Sequence, residues 1–143
     1  MSVQHWAAPS SIEDVPRLRR GVVAFAAAHG MAPGPLADLS IAVSEILANV
    51  ARHGRADRES DRLDVRVEID DDVVVVIRGA GVGLSQRVNG PAARLGLITV
   101  ASLARNLRVT PTAEGGREVS MTFPRAIAPA AAAPSAPGVE APG

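Results

Sequence analysis

The chain has 143 residues, 15 acidic and 15 basic side chains, and no cysteine. This length fits one domain. Balanced charge argues against a general nucleic-acid binder, which carries a basic excess. The lack of cysteine excludes disulfides and thiolate metal sites. We recognise no signal peptide and no apolar run long enough to span a membrane, so we expect a cytoplasmic protein.

The N-terminal third predicts two helices. Residues 2–7 are a candidate edge strand. A helix is expected from Ser11 to about His29, because a serine can cap a helix and apolar residues follow at helical spacing. The segment 33–35 reads Pro-Gly-Pro and is expected to break the chain before a second apolar helix over about 36–53.

Strands dominate the second half of the chain. Residues 63–69 alternate between apolar and polar, and 73–77 are a continuous β-branched run, so the two predict a hairpin that turns at 70–72. The segment 79–93 is rich in glycine and is expected to be a loop. A short helix is then expected over about 95–105, with strands over 107–111 and 118–123 and a turn at Gly115-Gly116 between them.

This order predicts an α/β (α+β) two-layer sandwich, with a mixed, mostly antiparallel sheet and three helices on one face. The folded domain would cover residues 1–125. Residues 126–143 are a low-complexity tail of alanine and proline, which supplies little to bury and is expected to be disordered.

The second helix carries the candidate chemistry. Glu45 and Asn49 are four residues apart, so they share a helix face away from the apolar stripe, and His53 continues the same line. A carboxamide oxygen can bind Mg²⁺, and a carboxylate can accept a proton. An ordinary solvated Glu–Asn pair fits the same spacing, and His53 could simply stabilise the helix end.

Three glycine-containing segments follow in order: Gly-Ala-Gly-Val-Gly at 79–83, Arg-Leu-Gly-Leu at 94–97, and Gly-Gly-Arg-Glu-Val at 115–119. A dinucleotide-binding loop is disfavoured, since the spacing is G-x-G-x-G and no βαβ unit surrounds it. Together with Ala42-Val43-Ser44-Glu45, Asn49 and His53, the segments resemble the histidine-kinase-like ATPases of the Bergerat (GHKL) fold, in the anti-sigma-factor serine/threonine kinase branch. The resemblance covers about residues 10–124.

The resemblance implies a site for ATP and Mg²⁺. Glu45 matches the catalytic base, and Asn49 matches the Mg²⁺ ligand. Gly81 and Gly83 match glycines that let the backbone approach the nucleotide. Gly96 and Leu97 match the start of the lid helix, whose N-terminal amides can hold phosphate oxygens. The implied cofactor-binding residues are Asn49, His53, Gly79, Gly81, Gly83, Arg94, Gly96, Leu97 and Arg117.

Three positions depart from the family pattern. Gly79 stands where the family has the Asp that accepts a hydrogen bond from the adenine amino group. Arg94 replaces the first glycine of the lid motif, and Arg117 stands where Thr is frequent. Restoring the acceptor with Gly79→Asp is expected to tighten ATP binding about tenfold or more.

Two functions are compatible with these residues. The first is an ATP-binding anti-sigma factor with serine/threonine-protein kinase activity, which regulates transcription by binding a sigma factor or an antagonist protein. The alternative is a non-catalytic protein-binding module that has lost efficient ATP binding. Neither function needs direct contact with nucleic acid or a membrane, and a homodimer is compatible with both.

Overall fold

A computed structural model describes residues 1–9, 11–53, 62–79, 91–113 and 116–126, without the side chains of 52–53 and 91–96. In the described chain two helices follow the first strand, a third helix separates two pairs of strands, and all of these strands join one sheet. The elements are β1 (Ser2–Pro9), a 3-10 turn (Ile12–Asp14), α1 (Val15–Ala28), α2 (Pro33–His53), β2 (Arg62–Ile69), β3 (Asp72–Gly79), α3 (Pro91–Leu103), β4 (Asn106–Pro111) and β5 (Arg117–Pro124).

The sheet has five strands in the order β1-β2-β3-β5-β4, and each of the four described pairings is antiparallel. The hairpin β2–β3 turns where the sequence predicts, and the Asp70 amide donates to the Asp72 carbonyl at 2.9 Å. Residues 2–7 do form part of an edge strand. The predicted α+β sandwich is thereby confirmed, with a sheet that is antiparallel throughout the described strands.

The core lies between one face of this sheet and the helices. Along β2, β3 and β5 every second residue is buried, because successive side chains of a strand point to opposite faces. The buried set continues onto one side of α1 and α2, and both layers contribute to a single, mostly aliphatic cluster. Representative members, all with no exposed surface, are Leu18, Leu39, Leu47, Val65, Ile77, Met121 and Phe123.

Two helices begin earlier than the sequence pattern predicts. Pro33 starts α2 and Pro91 starts α3, although both prolines were expected to lie in breaker or loop segments. Proline is tolerated in the first turn of a helix, because an amide there has no intrahelical acceptor to lose. The start of α2 is also tied to the end of β5, since the Ala32 amide donates to the Arg125 carbonyl at 2.7 Å.

One further correction concerns the length of apolar sequence. The window Pro33–Ala51 within α2 has a mean hydropathy of 1.2 and is long enough to cross a membrane, contrary to the expectation that no such run exists. Its apolar stripe includes Leu39, Val43 and Leu47, which are wholly buried against the sheet. The hydropathy of this helix is therefore explained by its place in the core.

Candidate functional site

Helix α2 holds Glu45 and Asn49 outside the core. The residues that flank them on the helix, Ile46, Leu47 and Val50, are buried, whereas Glu45 is exposed and Asn49 is half-buried. Within the described part of the chain neither polar side chain forms a hydrogen bond or an ion pair. Both are thus free to bind a ligand from the accessible side of the helix.

This pair has the chemistry that a magnesium site needs. Mg²⁺ takes hard oxygen ligands and keeps several waters, so one or two protein oxygens together with phosphate oxygens suffice. The Asn49 carboxamide and the Glu45 carboxylate supply such oxygens on adjacent turns. No cluster of three or more His, Cys, Asp or Glu that could hold a metal ion occurs among the described residues.

Gly79 is the last residue of β3 and not the first residue of a loop, as the sequence suggested. It is buried, and its neighbour across the layers is Val50 of α2. A Cβ atom built on Gly79 would overlap Cγ1 of Val50 and would lie 3.6 Å from its Cβ. Val50 therefore fills the space that a side chain at position 79 would need.

Arg117 lies directly beside Gly79. The two are Cα partners in the β3–β5 pairing, and Arg117 is in phase with Val119 and Met121, which face the core. Its side chain is half-buried, and Nη1 donates to the Gly116 carbonyl at 2.9 Å. Within the described ranges no carboxylate forms an ion pair with it. This end of the sheet thus offers hydrogen-bond donors.

The Val50–Gly79 contact brings the two parts of the predicted site together. Asn49 precedes Val50 on α2, and Gly79 pairs with Arg117 in the sheet, so these residues border one region where the helix meets the strand ends. Sequence reasoning missed Val50 as a member of this region. It placed Val50 in the core stripe, and no pattern along the chain indicates which strand residue it contacts.

The structure describes only part of the remaining predicted site residues. Gly81 and Gly83 lie outside the described residues, as does the side chain of His53, the last residue of α2. Arg94 and Gly96 lie within α3, and Leu97 is half-buried and packs against the core. Because α3 begins at Pro91, Gly96 and Leu97 are not its N-terminal residues. The free amides expected at Gly96 belong instead to the first four positions of the helix.

Two shallow depressions of about 390 and 420 Å³ lie on the opposite, uncovered face of the sheet. Both are lined by strand residues such as Arg66, Val76 and Glu118. Several of the charged residues there are already paired, with Arg66 Nε at 2.9 Å from Glu68 Oε2 and Arg78 Nε at 3.4 Å from Glu118 Oε2. Glu45 and Asn49 line neither depression. We place the candidate site at α2 because these two side chains carry the oxygen atoms that a magnesium nucleotide needs.

Comparisons with known proteins identify the family of the chain and similar folds. A family model described as a histidine kinase-like ATPase domain matches residues 8–123. The fold is similar to that in a structure of the RsbU and RsbW domains of Rv1364c from Mycobacterium tuberculosis, with a TM-score of 0.64 and 18% identity over 90% of this chain and 34% of that one. No curated protein matches the sequence significantly.

A second similar structure is the histidine kinase domain of the blue-light activated histidine kinase EL346 from Erythrobacter litoralis. It has a TM-score of 0.52 and 24% identity, over 64% of this chain and 45% of that one. The chain therefore spans less than half the length of either protein, and the similarity concerns the fold.

Proposed function

This chain belongs to the family of histidine kinase-like ATPase domains, and we propose that it is a regulatory protein of the anti-sigma-factor kinase type. It would bind a magnesium nucleotide and act on a sigma factor or an antagonist protein in the cytoplasm. The observation that carries this function is the unpaired Glu45 and Asn49 on the accessible side of α2. The fold similarity to a structure that contains an RsbW domain supports the choice of branch.

The two side chains would have different roles, one in metal binding and one in proton transfer. The Asn49 carboxamide oxygen would hold Mg²⁺. A bound magnesium nucleotide would supply the phosphoryl group, and its Mg²⁺ would offset part of the phosphate charge. Glu45 would accept the proton of a serine hydroxyl on the partner protein, as the serine oxygen bonds to the γ-phosphorus and the bond to ADP breaks. The exposure of Glu45 leaves its carboxylate accessible to a protein substrate.

Calorimetric titration with Mg-ATP and Mg-GTP tests the nucleotide part directly. We expect saturable heat that depends on Mg²⁺ and is weakened by Asn49→Ala. Glu45→Gln should retain nucleotide binding and lose phosphotransfer to a serine-bearing antagonist. Glu68→Gln is the matched control, since Glu68 lies on the uncovered face of the sheet and pairs with Arg66. If neither Mg-ATP nor Mg-GTP gave a saturable heat of binding, the proposed magnesium-nucleotide site would be contradicted.

A second function, a non-catalytic protein-binding module, is favoured by the Val50–Gly79 contact. The residues at that end do not fit adenine as the family binds it, because there is no acceptor at position 79 and Val50 fills the space for one. This module would bind the sigma factor or antagonist equally well with and without Mg-nucleotide. Measured affinity for a purified candidate partner, with and without nucleotide, distinguishes the two functions.

A further inference from the structure

The central strand of the sheet is apolar on both of its faces. The core side chains of β3 are valines and an isoleucine, and Val74 and Val76 point the opposite way, to the uncovered face. The neighbouring strands β2 and β5 alternate, with charged, hydroxyl or proline residues on that face. Alternation is typical of a strand with one solvated face, whereas a continuous apolar run is typical of a strand that is covered on both. The sequence of β3 therefore indicates that a further layer covers this face.

Charged side chains on the uncovered face lie in rows that cross the strands. The strand register forms one basic row, which consists of Arg66, Val76, Ser120 and Arg108. The adjacent acidic row lies one step nearer to the β2–β3 turn and consists of Glu68, Val74, Thr122 and Asn106. Each row contains one valine of β3, and the two rows carry opposite charge.

A basic row beside an acidic row is complementary to a second copy of the same surface. A two-fold axis that runs parallel to the rows and between them places the basic row of each protomer over the acidic row of the other. Arg66 then faces Glu68 of the partner subunit, and Val74 faces Val76 of the partner subunit. Because β3 is the third of five strands, the valines lie at the centre of this contact, where apolar side chains are shielded from water.

We propose that the uncovered face binds a second copy of this chain and forms a homodimer in which the two sheets pack face to face. The charges near the valines are already paired within one chain. Arg66 Nε lies 2.9 Å from Glu68 Oε2. Arg78 Nε lies 3.4 Å from Glu118 Oε2. Covering an unpaired charge is costly, and the dimer leaves none of these four groups without a partner.

The size of the face determines how much of it the dimer uses. Its five strands have six to eight residues and lie about 4.8 Å apart, which gives a flat area of roughly 500 Å². Protruding side chains make the accessible area larger than this, and a standard interface buries about 800 Å² per partner. The dimer contact therefore extends over the whole face and is not confined to one depression.

Sedimentation velocity of the full chain from about 0.1 to 100 µM tests the proposal, since interfaces of standard size reach micromolar affinity or tighter. We expect a species of twice the mass of the chain at the upper end of this range. Arg66→Glu places a like charge opposite Glu68 of the partner subunit, and Glu68→Arg does the same to Arg66. Each variant alone should dimerise about tenfold more weakly, because like charges that face each other oppose association.

Mixing the two variants separates an interface from a structural effect. In the mixed dimer the acidic variant faces the basic one, so the mixture should dimerise about tenfold more tightly than either variant alone. A substitution that only disturbed the fold would not be rescued by mixing. Both side chains are partly exposed, so each variant should fold, which thermal melts check. Arg20→Glu is the matched control, because Arg20 is exposed on α1 in the helical layer, and it should leave dimerisation unchanged.

Each outcome supports or contradicts the dimer. A chain that stays monomeric at the highest concentration would overturn it. A dimer that withstands both single variants would also overturn it, since that dimer would use another surface. Weakening in each variant with recovery in the mixture would establish the uncovered face as the interface. The proposed magnesium-nucleotide site is tested separately, because Glu45 and Asn49 lie on α2, outside this face.

Discussion

Cγ1 of Val50 occupies the position that the first side-chain atom of residue 79 would take. Helix α2 and strand β3 approach this closely because residue 79 is glycine and has no side chain. The expectation that Gly79→Asp alone adds an adenine acceptor therefore needs correction, since the new side chain has no room unless Val50 moves. Position 79 and position 50 must be changed together.

We expect Gly79→Ala to destabilise the protein by about 1–3 kcal/mol through overpacking, and Val50→Ala to cost about 2 kcal/mol through lost burial. The double variant should cost less than the sum by at least about 0.5 kcal/mol, since each change relieves the other. Urea unfolding of the four proteins measures this coupling. Strict additivity would show that the two residues do not compete for one space.

In the double variant Val50→Ala/Gly79→Asp, the new carboxylate would stand beside Arg117 in the β3–β5 register. With Val50 truncated this carboxylate has room to accept a hydrogen bond from the adenine amino group, so we expect the double variant to bind ATP about tenfold more tightly than Val50→Ala alone. Calorimetry with Mg-ATP measures the two affinities, with Val50→Ala as the control. Equal affinities would show that position 79 does not contact the base.

Glu45→Gln should change the free energy of unfolding by less than about 0.5 kcal/mol, because surface substitutions away from a buried network have small effects. Glu45 is exposed and unpaired within the described part of the chain. A thermal melt and a phosphotransfer assay on the same sample separate structure from chemistry. A large fall in melting temperature would identify Glu45 as a structural group.

Gly21→Ala tests the contact between α1 and the edge strand. A Cβ on Gly21 would lie 2.8 Å from Nε1 of Trp6, whose ring packs edge-on against Phe25 with centroids 6.0 Å apart. We expect the indole to move outward and its emission to shift to the red. The net cost should be about 1 kcal/mol, since overpacking exceeds the gain in helix propensity.

Trp6 is the only tryptophan, so the emission reports on this contact alone. Gly34→Ala is the matched control, because Gly34 is an exposed glycine in the first turn of α2. It should leave the emission unchanged. An unaltered spectrum in Gly21→Ala would show that the edge strand does not hold Trp6 against α1.

Phe123→Ala should destabilise the protein by about 3–5 kcal/mol, a large part of the stability of a small domain. Phe123 is wholly buried and faces the helices from β5. Thr122→Ala, one residue away on the other face, should cost about 0.5 kcal/mol or less. Denaturant midpoints compare the two, and similar midpoints would place Phe123 outside the core.

Local patterns in the sequence determined the main elements and the shared helix face of the candidate pair Glu45 and Asn49. Apolar residues at helical or alternating spacing identify α1, α2 and the hairpin β2–β3, because the period of the buried face is a property of each element by itself. Likewise, Glu45 and Asn49 must share a face of α2, since residues four apart on a helix are neighbours whatever surrounds them.

Tertiary structure decided the starts of α2 and α3 and the far end of the site. Pro33 and Pro91 read as breakers along the chain but serve as first-turn residues once a helix follows them. The closure of position 79 by Val50 and its pairing with Arg117 join segments distant in sequence. Such contacts depend on how a helix packs against a sheet and on the register of the strands. Neither is determined by the spacing of residues within one element.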